Sequence, residues 1–263
     1  MIVWVRGGIA GLLLLIASAT FAQSPAIDPE ALASGSEIAY RRALAPFAAA
    51  RKLNADREIN VRVRRVANRI IAGATTIDPT ATRYSWAVNI VNDPTPSILI
   101  YPLGRIVVHD GIVTFAGFAD DEIAAVFAHM VAHSLLGHDA SRIASGAGSS
   151  MTSPDPNRRA IAVADAATEL IPRSRYSADE IDAADRASVS LMARAGYDPR
   201  AAGSAWRRLR GTRGVIERAP VSDERLANLD AMARESVAQY DDARARLANQ
   251  PVSQPLITTP RRQ

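Results

Sequence analysis

Apolar residues recur at helical spacing through most of this chain, and only one short stretch follows a strand pattern. From about residue 37 the pattern is helical, with Pro46 interrupting it. Residues 56–72 carry Val63, Val66, Ile70 and Ile71 on one face, and Gly73 with the Thr/Asp/Pro stretch to Thr82 marks the end of that helix. Residues 84–91, 97–101 and 105–109 are rich in aromatic and β-branched side chains, with turn residues at 93–96 and 102–104 between them, which predicts three short strands. A helix is expected over 121–137, with Ile123, Val126, Phe127 and Val131 as its apolar stripe and Asp120, Asp121 and Glu122 on the positive end of its dipole. Residues 141–159 are rich in Gly, Ser and Pro and read as a disordered connector in preference to a lid near the site. Ser177 and Glu180 make a capping-box pair for a helix ending at Gly196. Asp198-Pro199 opens another that runs to Gly211 with Trp206 and Leu209 facing inward, and one long helix follows over 222–248. The expected class is α+β, mostly helical, with a small antiparallel sheet.

The two ends differ from this body. Arg6 followed by the apolar run 7–22 and the small residues around Ala22 has the form of a signal peptide, too short for the roughly 20 residues that span a bilayer. Cleavage near Ala22 is expected in preference to an uncleaved anchor, which would put the mature chain in the periplasm. Residues 23–36 are small and polar and are expected to be flexible, the domain is expected over 37–248, and 249–263 reads as a disordered tail. With no cysteine among 263 residues, disulfides, thiolate nucleophiles and thiolate zinc sites are excluded. The net charge of +4 rests almost wholly on arginine, clustered at 62–69 and 207–213. These clusters read as solvated helix faces, or alternatively as a peripheral contact for anionic lipid. Aromatics are only 5% and do not interleave with the basic residues, so a nucleic-acid partner has no support.

The chemistry sits in Ala128-His129-Met130-Val131-Ala132-His133. Two histidines four apart share a helix face and can reach one metal ion. In the hydrolytic version of this motif, His-Glu-x-x-His, the Glu takes a proton from zinc-bound water. Met130 stands in that position, and a thioether is no base at neutral pH.

In order along the chain, 102–108 followed by Asp110-Gly111-Ile112, the approach 121–129 to the His pair, Ala184-Asp185-Arg186 with 191–199, and Pro220 followed by Glu224-Arg225-Leu226 resemble the M48 family of zinc metallopeptidases, in its exported, envelope-quality-control branch. The resemblance covers roughly residues 59–230. It implies a zincin-like fold, with 102–108 as an edge strand beside the cleft. It also implies a third zinc ligand four residues before Asp185, a His before Pro220, and Asp185 as the partner that orients a ligand His. Those first two positions hold Ile181 and Ala219. Glu180 and Asp182 flank the lost ligand but point about 100° away on a helix. Glu180 is expected to serve its cap and Asp182 to be solvated, although either is an alternative third ligand. Two imidazoles alone hold zinc weakly, so zinc occupancy stays open here. His138 is expected at a helix C-terminus, His109 as a turn-flanking polar residue, and Met130 as an apolar filler.

The expectation is a pseudopeptidase of the cell envelope that binds peptide or protein. The alternatives are an active zinc endopeptidase with a rearranged site and a purely structural envelope module.

Overall fold

The computed structural model describes residues 28–173, 175–212 and 221–248; the segments read above as signal peptide and tail, and Ala219, lie outside them. The first helix, α1 (Pro29–Ala49), starts eight residues earlier than the sequence suggests. Asp28 caps it by accepting from the Glu30 amide, and Pro29 fits the first turn. Ala31, Gly35, Ser36 and Ala39 form a small-residue stripe that lets α6 (Pro156–Leu170) approach closely. A Cβ built on Gly35 would stand 2.5 Å from Cβ of Val163. Residues 29–36 are therefore helical and packed, not flexible. Pro46 does not break α1, because it falls in the last turn, where the Ala50 amide still bonds its carbonyl.

Helix α2 (Arg57–Ile77) is capped by Asp56 and continues five residues past the expected end. Gly73 is retained inside it, against Leu191 and Ala195, while the Thr75 and Thr76 hydroxyls bond carbonyls one turn back. The sheet has strands β1 (Ala87–Val91), β2 (Ile98–Tyr101) and β3 (Arg105–His109) in the order β1-β3-β2. It is small, as expected, but mixed: β3 runs antiparallel to β2 and parallel to β1. The expected edge strand, β3, is thus the central one, and β2 is an edge. Both faces of the sheet are covered. Val88, Ile90, Ile98, Ile100, Ile106 and Val108 join the larger core, and Ala87, Val91, Tyr101 and Val107 join a second core with α1 and α6. Burial on both sides explains why the strands read as continuous apolar runs without alternation.

A short turn of helix, α3 (Gly111–Thr114), leads to α4 (Asp120–Leu135), which is almost wholly buried from Glu122 to Ser134. Its start is clamped by arginines: Arg62 and Arg65 each bond Asp120 at 2.6 Å, and Arg208 bonds Glu122 at 2.6 Å. Both arginine clusters thus contribute to inter-helix ties as well as to surface charge. The expected disordered connector is instead α5 (His138–Ala147), a 3₁₀ turn over Gly148–Thr152, and the start of α6, capped by Asp155 with Pro156 in the first turn. A second 3₁₀ turn, Ile171–Arg173, leads to α7 (Ala178–Arg194), where both capping-box bonds between Ser177 and Glu180 form. Helix α8 (Ala201–Leu209) buries Trp206 and Leu209 as expected, and the expected long last helix is broken at Ser236 into α9 (Asp223–Glu235) and α10 (Val237–Ala248). No described helix is long and apolar enough to cross a membrane.

Candidate metal centre

Helix α4 presents His129 and His133 to the interior, and neither ring is exposed. Nδ1 of His129 lies 2.9 Å from Oδ1 of Asp185 on α7. Asp185 in turn takes two bonds from Arg225 on α9, from Nε at 2.7 Å and from Nη2 at 2.9 Å. Burial alone would raise the Asp185 carboxyl, but hydrogen bonds from Arg225 and His129 outweigh it and hold the group below the usual carboxylate range. The Arg225 guanidinium lies over Trp206, 4.2 Å from the ring centre, and Trp206 packs edge-on against His129. One ion pair, one aromatic ring and one imidazole therefore tie α4, α7, α8 and α9 together.

The two Nε2 atoms face each other at 3.1 Å, and Nδ1 of His133 lies 2.8 Å from Nδ1 of His138. One arrangement of protons satisfies all three contacts. Asp185 is the acceptor for a proton on Nδ1 of His129, which leaves Nε2 with a lone pair. His133 then donates from Nε2, and its own Nδ1 accepts from His138. His138 begins α5 after Gly137 turns the chain in the left-handed conformation, so it is a member of this cluster and not a helix-C-terminal cation. Tyr176 closes the other side, stacked on His133 with ring centres 3.6 Å apart. Its hydroxyl donates to Oδ1 of Asp139 at 2.7 Å, and Arg142 lies over its ring.

Asp139 is buried, which pushes its carboxyl up to about 6 against the opposing bond from Tyr176 and the charge of Arg142. Its folded value lies above the unfolded one, so the native state binds the extra proton, and stability falls as pH rises from about 4 to about 6. The Asp139→Asn variant keeps an acceptor for Tyr176 and cannot ionise. It is expected to be more stable than wild type by roughly 3 kcal/mol at pH 7 and to lose that advantage at pH 4. Urea midpoints at the two pH values check this.

The remaining candidates are elsewhere engaged. Glu180 accepts from the Ser177 amide as the capping-box acid, and Asp182 forms an exposed pair with Arg186. Glu180 nevertheless lies close enough for its charge to act on His138 and Asp139. Ile181 is half-buried on the same turn, Met130 is buried in the main core, and His109 faces Asp93 and Phe47 outside the cluster. Arg225 belongs to the Pro220–Arg225 element already visible in the sequence. Tyr176 and His138 had no sequence signal, because their positions depend on how α5 and the 171–177 connection fold back.

The sequence matches the profile of Peptidase family M48 over residues 58–233. It is similar to the mitochondrial metalloendopeptidase OMA1 of Schizosaccharomyces pombe, 29% identical over 189 residues, covering 64% of this chain and 51% of that protein. It is also similar to mitochondrial metalloendopeptidase OMA1 of Arabidopsis thaliana, 29% identical over 133 residues, covering 48% of this chain and 26% of that protein. The chain thus spans about half or less of the length of these curated relatives. M48 peptidases are typically zinc-dependent. Among the described residues no group of three or more His, Cys, Asp or Glu side chains can hold a metal. The donor set here, two imidazoles with no carboxylate ligand and no base, does not fit a catalytic zinc, which takes three protein ligands and an open position. With the matched region covering the main core, the His-bearing helix and the Asp185–Arg225 support, the chain belongs to peptidase family M48.

Proposed function

We propose that this chain is a catalytically silent M48 domain of the cell envelope that holds an extended peptide or protein segment without cutting it. One observation carries the loss of hydrolysis. The two buried histidines stand with Ile181 at the position of a third ligand and Met130 where a base belongs, so both groups a hydrolytic zinc needs beside them are apolar. The curated relatives are metalloendopeptidases, so the retained scaffold argues for a site that once served peptide substrates. The apolar run 7–22 supports export.

The capture surface is the outer edge of β2. The His109 amide bonds the Ser97 carbonyl, which sets the ladder so that Leu99 and Tyr101 bond β3 while Ile98 and Ile100 turn their amides and carbonyls outward. Those outward groups have no backbone partner among the described residues, but Ile98 and Ile100 are 0% exposed, with α4 and the Ile171–Arg173 turn packed against β2, so capture requires that turn to move aside. An added strand would satisfy them. A rearranged active site is the weaker reading, since Glu180 and Asp182 are spent on a cap and a surface pair.

The test uses a fluorescent extended peptide of alternating Thr and Val, and the same peptide N-methylated at alternate residues. The first is expected to bind and to stay intact with zinc present. The second is expected not to bind, because it lacks the amides that pair with β2. Zinc-dependent cleavage of the first peptide would sink the proposal, and so would equal binding of the two.

A further inference from the structure

The covered edge of β2 carries its own latch. We propose that residues 171–173 and 175–176, on the connection from α6 to α7, form a strap that keeps this edge shut and that Tyr176 is the side chain that holds it. The proposal rests on the reading of β2 as the capture edge.

The strap is pinned at two points and exposed between them. Ile171 is 5% exposed and packs with Tyr101 and Val107 in the second core, and Tyr176 is 7% exposed. Pro172, Arg173 and Arg175 are exposed, and so is Ser177, where α7 begins. The Ile171–Arg173 turn packs against β2. Ile98 and Ile100 turn amides outward that have no backbone partner among the described residues, yet neither residue is exposed at all. Packing therefore shuts this edge, and a local movement of what covers it is enough to bare it. Helix α4 is built into the main core, which leaves the strap as the part of the cover that can move.

Tyr176 supplies the hold. Its ring stacks on His133 with the two planes 17° apart, and the Arg142 guanidinium lies over it, 4.9 Å from the ring centre. Its hydroxyl donates to Oδ1 of Asp139 at 2.7 Å. One side chain thus ties the end of the strap to α4 and to α5.

The closed state is not fully satisfied. Oδ2 of Asp139 and Nη1 of Arg142 are buried with no hydrogen-bond partner among the described residues. Water reaches both once Tyr176 leaves, which offsets part of the lost stack and bond. The latch is therefore a weak one that an added strand can displace. Capture then includes the opening, and the apparent affinity is the intrinsic one reduced by the open fraction.

The test is hydrogen exchange followed by NMR on the full chain and read at the amides of Ile98 and Ile100. In Tyr176→Ala these two are expected to exchange roughly tenfold faster or more, the scale of losing one aromatic stack and one hydrogen bond. Amides in α2 and α8 are expected to keep their wild-type rates. The alternating Thr and Val peptide is expected to bind Tyr176→Ala more tightly by the same factor, because both measurements read one opening equilibrium. Tyr176→Phe keeps the ring and drops the bond to Asp139, so it is expected to give a smaller acceleration at the same two amides. Wild-type exchange at Ile98 and Ile100 in Tyr176→Ala would overturn the strap. Equal acceleration through α2 and α8 would overturn it too, since that is a global loss of stability. Where Tyr176→Ala does not fold, wild-type exchange at these amides in Tyr176→Phe overturns it. Local acceleration with no peptide bound by either protein supports the strap and removes the peptide reading instead.

Discussion

Arg225→Ala is expected to lower the unfolding free energy by about 3–5 kcal/mol, the usual consequence of removing one partner of a buried ion pair. Asp185 is 2% exposed and receives both bonds of the Arg225 guanidinium. Without Arg225 its charge stays in the interior facing only a neutral imidazole edge, and Trp206 loses the cation stacked on its face. For a domain of this size the loss corresponds to a thermal midpoint lower by on the order of ten degrees. The pH dependence has a definite sign. The folded Asp185 carboxyl lies below its unfolded value, so the pair contributes fully above about pH 4 and its contribution is lost as pH falls through the depressed folded value. The gap between wild type and Arg225→Ala should therefore narrow in acid. Asp139 titrates in the opposite sense, losing stability as pH rises, so the two buried aspartates can be told apart in one series of urea melts. The double variant Asp185→Ala/Arg225→Ala should cost less than the sum of the two single changes, since neither charge is then stranded. Strict additivity would mean that the pair is not coupled.

What the sequence made legible was local. The Ser177–Glu180 cap, the acidic start of α4, the shared face of His129 and His133 and the apolar faces of α2 and α8 depend on neighbours within a turn or two. The Asp185 support was legible only through family resemblance; in the fold its Oδ1 lies 2.9 Å from Nδ1 of His129. What was missed depends on chain segments that meet from afar. The Gly/Ser-rich stretch after His138 has poor helix formers, yet it forms α5 and enters α6, because Ile143 and Val163 bury themselves in the second core beside α1. The same core explains the early start of α1, whose small residues look flexible until α6 is laid against them. The order β1-β3-β2 was invisible because all three strands are apolar on both faces, so no alternation marks a register or an edge. Tyr176 lies 43 residues from His133 in sequence, and only the fold stacks them.

Met130→Glu, which rebuilds the hydrolytic motif, is expected to give no peptidase and a less stable protein. Position 130 is 2% exposed and surrounded by apolar side chains, so the new carboxylate is buried without a hydrogen-bond partner or a counter-ion. Such a group costs several kcal/mol or stays protonated, and a protonated acid takes no proton from water. Nor is there water to act on, because the two imidazoles alone do not hold the zinc that would activate it. A general base is worth on the order of 10² to 10⁴ in rate only when the rest of the site is assembled. Adding Ile181→Glu should change the outcome. It supplies an anion at the position where the family resemblance implies the third ligand, on the turn of α7 that precedes Asp185. The double variant is expected to retain zinc through purification without chelator and to regain much of the lost thermal stability when zinc is present, because the metal balances both new charges. Elemental analysis, melts with and without zinc, and cleavage of unfolded casein measure the three effects. Casein cleavage by Met130→Glu alone would mean that the wild-type pair already holds a metal with another donor, and the loss of hydrolysis would then rest on a single side chain.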